Sequence, residues 1–187
     1  MSAVTYQWEG GGVVRLAAAA RNTLGSNKAR AAFRRGINRT GDKTFTIVRR
    51  VVAKQVGLSQ SKVTKKGGLQ RIRANYQALE YLIISRGGFI SLKEFKARQV
   101  RRGVSAAPWG KRQVFKSAFG PRIGALGGHV FHRTSADRFP IEKMWGPAVP
   151  KEIVKDESRK AFDETAAREL PPKIEHEIRR LMQGTAS

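Results

Sequence analysis

Between Met1 and Thr134 the chain carries 27 lysines and arginines against four carboxylates, Glu9, Asp42, Glu80 and Glu94. Residues 135–187 carry ten of each sign, so the whole formal net charge of +23 sits in the first part of the chain. A folded body with so dense a positive field repels itself, and something anionic should lie against it. Nucleic acid, an acidic neighbouring subunit or membrane phosphates meet that need. The cations stand singly and in pairs among apolar residues instead of in one tail. That pattern points to a charged surface or pore lining on a folded body.

The 187 residues suit one ordinary domain with an appended segment, and 40% hydrophobic residues can supply a core. No apolar run approaches the roughly 18 residues of a membrane span, and MSAVTYQWEGGG lacks the basic start and apolar stretch of a secretory signal. No membrane association is expected. The absence of cysteine excludes disulfides, thiolate metal sites and a cysteine nucleophile together. The expected organisation is a flexible arm over residues 1–12, a core domain over 13–150 and a helical segment over 151–187.

The alanine-rich run Val13–Leu24 predicts a helix ended by Gly25, with Ser26 capping a second. Phe33, Ile37, Thr40, Thr44, Val48, Val51 and Gln55 recur at steps of three and four, which predicts one amphipathic helix stopped by Gly57. Gly36 and Gly41 inside it each cost about 1 kcal/mol relative to alanine, so a kink or a close contact is expected there. A short helix runs from Ser59 or Ser61 to Lys66, and Gly67-Gly68 breaks the chain. Strand patterns follow at Leu69–Tyr76, Ala78–Ser85, Arg98–Ala106, Gln113–Phe119, His129–His132 and Phe139–Trp145. A helical turn is expected at Ser91–Phe95, and Pro108-Trp109-Gly110 marks a hairpin. Lys151–Gln183 is helical in pattern, broken by Pro171-Pro172. The fold class is α+β: N-terminal helices, an antiparallel β meander of about four strands and a C-terminal helix, with the helices on one face of the sheet.

Catalytic readings find little support. His129-x-x-His132 has the look of a metal pair, but that spacing in a strand places the rings on opposite faces. His132, Ser135 and Asp137 carry the letters of a hydrolytic triad within one polar turn, as many loops do. The glycine-rich connection Gly120–Gly128 lacks the Lys-Ser/Thr ending of a phosphate-cradling loop. No carboxylate pair is framed by apolar residues, so no acid–base site, metal or cofactor is implied.

Binding is better supported. Lys62, Lys65 and Lys66 with Arg71 and Arg73 form one basic group. Lys96, Arg98, Arg101 and Arg102 form a second, and Lys111, Arg112 and Lys116 a third. Such groups meet either DNA phosphates, with strong salt dependence and little sequence preference, or acidic protein partners. Val51–Lys66 has the outline of a helix-turn-helix, with a second helix too short to present many side chains to base edges. Phe115, Phe119, Phe131 and Phe139 stand at strand positions suited to core or subunit-interface packing. RFPIEKMWGPAVP (Arg138–Pro150) is stiffened by three prolines and a glycine, and it can dock on a partner or on its own core at small entropic cost.

The order of motifs from Ile90 to Pro150 resembles a known family: ISLKEFKARQ, GVS, KRQVFKSAF, GGHVFHR and DRFPIEKMWGPAVP. Upstream, ARAAFRRGINRT and GLSQSKV fit the same pattern. Together they resemble the prophage minor tail protein Z family, the lambdoid tail completion proteins, across about residues 13 to 155. The resemblance implies a non-enzymatic virion protein that completes the tail near the end meeting the head. It would assemble as a homo-oligomeric ring, of six or twelve copies, against tail terminator, connector or tail tube subunits, with non-specific contact to channel DNA. It assigns structural or interface roles to Gly103, Phe119, Gly127, Gly128, His129, Val130, Phe131, Arg138, Phe139, Pro140, Ile141, Gly146 and Pro147, beside the apolar anchor Trp145. The alternative is a stand-alone, non-specific nucleic-acid-binding protein.

Overall fold

The computed structural model describes residues 2–4, 18, 22 and 25–183. Of the expected first helix, Ala18 and Asn22 are helical and the rest lies outside the described residues, as does most of the expected N-terminal arm; Ser2–Val4 is strand β1. The long helix α1 spans Ser26–Val56 and α2 spans Gln60–Lys66. Strands follow at Leu69–Ile72 (β2), Leu82–Ser85 (β3), Phe89–Ser91 (β4), Arg98–Val100 (β5), Gly103–Ala106 (β6), Gln113–Lys116 (β7), Phe131–Arg133 (β8), Ile141–Lys143 (β9) and Trp145–Ala148 (β10). Helices α3 (Val149–Glu152) and α4 (Asp156–Gln183) close the chain. The architecture is α+β as expected. The strands do not make one meander of about four, however: they are shared among small sheets ordered β1-β3-β2, β10-β4, β5-β6-β7 and β8-β9.

The chain divides into two compact units, one built from Met1–Ser2, Arg49–Leu69 and Ser85–Ser158, the other from Ala3–Val48, Gln70–Ile84 and Arg159–Ser187. In the second, Ala29, Ala32 and Phe33 of α1 bury themselves with Ile174 and Ile178 of α4, and Ile37, Leu79, Leu170 and Leu181 pack around them. Each large side chain so buried contributes roughly 1.5–3 kcal/mol. Gly36 and Gly41 are contact points rather than kinks. A Cβ on Gly36 would lie 2.8 Å from Ile174 Cγ1, and one on Gly41 would lie 2.2 Å from the Tyr81 ring. Asn38 substitutes for a strand partner: its amide nitrogen donates to Ala74 O at 2.9 Å and its oxygen accepts from Ala74 N at 2.8 Å.

Helix ends and breaks differ from the sequence expectation at two places. Gly25 (φ 77°) precedes α1 and its carbonyl accepts from Ala29 N at 3.0 Å, so Ser26 is the first helical residue and not the cap. Pro171 and Pro172 do not break the C-terminal helix; α4 runs through both. Two missing N–H groups weaken the ladder there, but proline's φ is compatible with a helix, and Leu170, Ile174 and Ile178 hold the segment to the core on either side. Glu177, completely buried, lies one turn on and binds Arg39 Nη1 at 2.6 Å and Arg180 Nη2 at 3.2 Å, with Arg35 Nη1 at 3.7 Å.

In the first unit α1 ends at Gly57 (φ 82°), whose N–H donates to Ala53 O at 3.0 Å. Ser59 caps α2 through its hydroxyl, which accepts from Lys62 N at 3.4 Å. Val52, Val56, Val63, Leu92, Phe95, Val104, Val130 and Val149 make the core. Gln55 ties the end of α1 to α3: its amide donates to Glu152 O at 3.0 Å and its oxygen accepts from Ser158 Oγ at 2.6 Å. The expected strand Arg98–Ala106 is instead a hairpin folded at Arg101-Arg102, with β5 and β6 antiparallel and Val100 opposite Gly103. The positive φ of Gly103 (141°) permits the return.

Asp42 of α1 shows how few acids serve many cations. It binds Arg71 at 3.1 Å, Arg73 more closely still, and accepts from Tyr81 Oη at 2.9 Å. Burial alone would raise its pKa, but the bonds from Arg73 and Tyr81 and the charges of Arg73 and Arg71 outweigh it and hold the carboxyl below 3.8. A depressed carboxylate stabilises the fold above its unfolded pKa and loses that contribution as pH falls through the folded value. Asp42→Asn should therefore lower stability at pH 7 by about 1 kcal/mol, modest because the arginines are exposed. It should also remove part of the stability loss below about pH 4, measured by urea titration at pH 7 and pH 3.

Candidate functional site

From Phe95 to Ala136 the chain has no carboxylate and nine lysines and arginines. The sheet β5-β6-β7 lies inside that stretch and gathers most of them. Its register pairs Arg98 with Ser105 and Val100 with Gly103 on one side, and Val114 with Ser105 and Lys116 with Gly103 on the other. Directly paired residues share a face, so Arg98, Val100, Val114 and Lys116 lie together. Arg112 reaches across to Ser105 Oγ at 3.1 Å. All these partners of β6 are exposed, as are Arg101 and Arg102 at the hairpin turn and Lys111 before β7. None of Arg98, Arg101, Arg102, Lys111, Arg112 and Lys116 pairs with a carboxylate among the described residues. Exposed Val100 and Val114 put apolar surface between them.

The first basic group behaves differently. Lys62 Nζ binds Glu94 Oε2 at 2.8 Å, and that bond, against a smaller opposing effect of burial, lowers the Glu94 pKa from 4.5. Arg71 and Arg73 are held by Asp42 in the other unit. Lys65 and Lys66, exposed in the last turn of α2, favour that helix end electrostatically. Of the twelve cations singled out in the sequence, Lys62, Arg71 and Arg73 thus have internal partners. Arg98, Arg101, Arg102, Lys111 and Arg112 come together on one small sheet.

The interface residues implied by the resemblance also divide. Phe119 and Phe131 exchange backbone hydrogen bonds at 2.9 Å, their rings 6.4 Å apart, and Arg133 covers Phe119 at 5.0 Å. Gly128 (φ 72°) has open space where a Cβ would stand, so only its backbone conformation calls for glycine. Ile141 begins β9, and Pro140 O accepts from Thr134 N at 3.5 Å. Gly146 and Pro147 are buried in their own unit, where a Cβ on Gly146 would strike the Phe95 ring at 2.4 Å. Arg138, Phe139 and Pro140 are exposed, as is Trp145. The segment Arg138–Pro150 therefore docks on its own core at one end and faces solvent at the other.

One concave site escaped the sequence reading. A cavity of about 340 Å³ opens over β4 and β10. Lys66, Lys93 and Lys143 line it with His129, Phe89 and Trp145. Lys93 Nζ stands 3.2 Å from His129 Nε2, and Ser91 Oγ 2.9 Å from Nδ1. An ammonium can only donate, so Nε2 accepts and the imidazole proton sits on Nδ1, donated to Ser91. Desolvation, then the charges of Lys143 and Lys93, hold the His129 pKa below 6.5. His129 and His132 do part company: His132 faces Glu142 at 3.7 Å across β8–β9. Among the described residues no three of His, Asp and Glu gather to hold a metal. Ser135 Oγ accepts from Asp137 N at 3.3 Å, a local turn bond. No described helix is long and apolar enough to cross a membrane.

A family model for prophage minor tail protein Z matches residues 16–184. No match was found among curated proteins or among solved structures.

Proposed function

Because the chain belongs to the prophage minor tail protein Z family and so has a structural role in a phage tail, we propose that it completes the tail at the end that meets the head. In this reading several copies close a ring, and the exposed acid-free sheet β5-β6-β7 turns toward acidic neighbours or channel DNA. The carrying observation is the match over residues 16–184, taken with six cations on one sheet that pair with no carboxylate among the described residues. Buried cations need partners within the fold, whereas exposed ones of a single sign set which surfaces may approach. The proposed partners are tail terminator, connector or tube subunits, and no chemistry is assigned to the chain.

The decisive measurement is to image intact particles and locate the chain, beside particles made from a deletion strain. The expected result is a ring of density at the head-proximal tail end, lost on deletion together with infectivity. Mature particles without the polypeptide, combined with tight nucleic-acid binding by the purified protein at physiological salt, would support the stand-alone nucleic-acid-binding alternative instead.

A further inference from the structure

The cavity over β4 and β10 has a charge and shape that the family role leaves unassigned. Three lysines converge on it from three places in the chain: Lys66 at the end of α2, Lys93 after β4 and Lys143 at the end of β9. The one carboxylate among its described lining residues, Glu94, is already bound by Lys62, which is not part of the lining. Two half-exposed aromatic rings, Phe89 at 54% and Trp145 at 53%, stand at its rim. We propose that this cavity receives a glutamate or aspartate side chain carried on an apolar-flanked segment of a neighbouring protein.

The aromatic rim favours a polypeptide carboxylate over a nucleic-acid phosphate. Among the described residues the lining cations are lysines, point charges that bond a carboxylate or a phosphate alike, so the rings beside them decide between the two. Lys143 Nζ sits 4.5 Å from the centre of the Trp145 ring and Lys151 Nζ 4.7 Å from that of Phe89. One face of each ring is therefore occupied, which leaves less room for a stacked base. The same arrangement holds each ammonium beside apolar surface, where a carboxylate flanked by aliphatic side chains can bond the ammonium and cover the ring together. His129 is the built-in reporter. Desolvation, then the charges of Lys143 and Lys93, disfavour its protonation and Glu94 favours it; a second carboxylate entering the cavity acts in the same direction as Glu94.

Only the source of the segment, another tail subunit, rests on the assembly role proposed above. The test uses the full chain in solution and needs no particle. Histidine ring signals are followed by NMR while N-acetyl-Leu-Glu-Leu-amide, its Gln counterpart or inorganic phosphate is added. The Glu peptide should move the His129 signals saturably at concentrations on the order of millimolar and raise the pH at which that ring titrates. Lys143→Gln should weaken the effect about fivefold or more, and Arg101→Gln, outside the cavity, by less than about twofold. Melting curves check that both variants stay folded. No response, equal response to the Glu and Gln peptides, response to phosphate alone, or equal weakening by the two variants overturns the proposal. If the peptide binds but particles lack the chain, the assembly role fails and the carboxylate site stands.

Discussion

Alanine at Gly103 should destabilise the unit that carries the basic sheet by about 3–5 kcal/mol, the sum of backbone strain and overpacking. Gly103 closes the β5–β6 hairpin at φ 141°, a conformation that residues with a Cβ rarely adopt. An added Cβ would stand 2.0 Å from Phe115 O, an atom of the neighbouring strand backbone. A clash with the tip of a long side chain can be relieved by rotation; a clash with a strand carbonyl moves β7. The pairs Gly103–Lys116 and Val104–Phe115 would open first, and fully buried Val104 and Ala106 would lose their cover. Gly124→Ala is the natural contrast, since nothing lies within 4 Å of its added Cβ; it should change stability by less than about 0.5 kcal/mol. Thermal melts followed by tryptophan fluorescence separate the two, because Trp109 and Trp145 lie in the unit that holds the sheet. An unchanged transition for Gly103→Ala would mean that the hairpin turn is not the constraint on this sheet.

Much of the helical part was legible because its signals are local. Gly57 and Ser59 mark the junction of α1 and α2 by chemistry that acts within a few residues. Of the stripe, Phe33, Thr40, Thr44 and Val48 are buried as the spacing predicts and Ile37 is partly buried. Toward the end of α1 the buried face rotates, so Val52 and Val56 are fully buried where Val51 and Gln55 were expected to carry the stripe. Gly36 and Gly41 looked like weaknesses in a helix; their reason is the approach of Ile174 and Tyr81, which no window around them reveals. The prolines at 171 and 172 were misread for the same cause, since the packing of Ile174 and Ile178 decides whether the helix survives them. The split of Arg98–Ala106 hides behind a continuous strand-like composition, and only the glycine at 103 hints at the turn. Least legible is the cavity. It depends on the antiparallel pairing of Trp145 with Ser91 and Ala148 with Phe89, a long-range match between two short strands that alternation alone cannot select.

Reversing four charges at once, with Arg98, Arg101, Arg102 and Lys111 each changed to Glu, should leave the fold intact and abolish incorporation into tails. These side chains are exposed and bind no carboxylate among the described residues, so each change should alter stability by no more than about 0.5 kcal/mol. The formal charge falls from +23 to +15, which relieves self-repulsion and works against unfolding. Against a partner chosen for opposite charge, the same change sets like charges face to face at a cost of several kcal/mol. Complementation of a deletion strain should accordingly drop by about two orders of magnitude or more. Lys62→Glu provides the opposite control: it places a second carboxylate beside Glu94, which Lys62 now holds at 2.8 Å, and should lower the melting temperature. Normal complementation by the quadruple variant would show that the acid-free sheet faces solvent in the finished tail. Loss of complementation with an unchanged melt would tie the sequence's most uneven property, its one-sided charge, to assembly and not to folding.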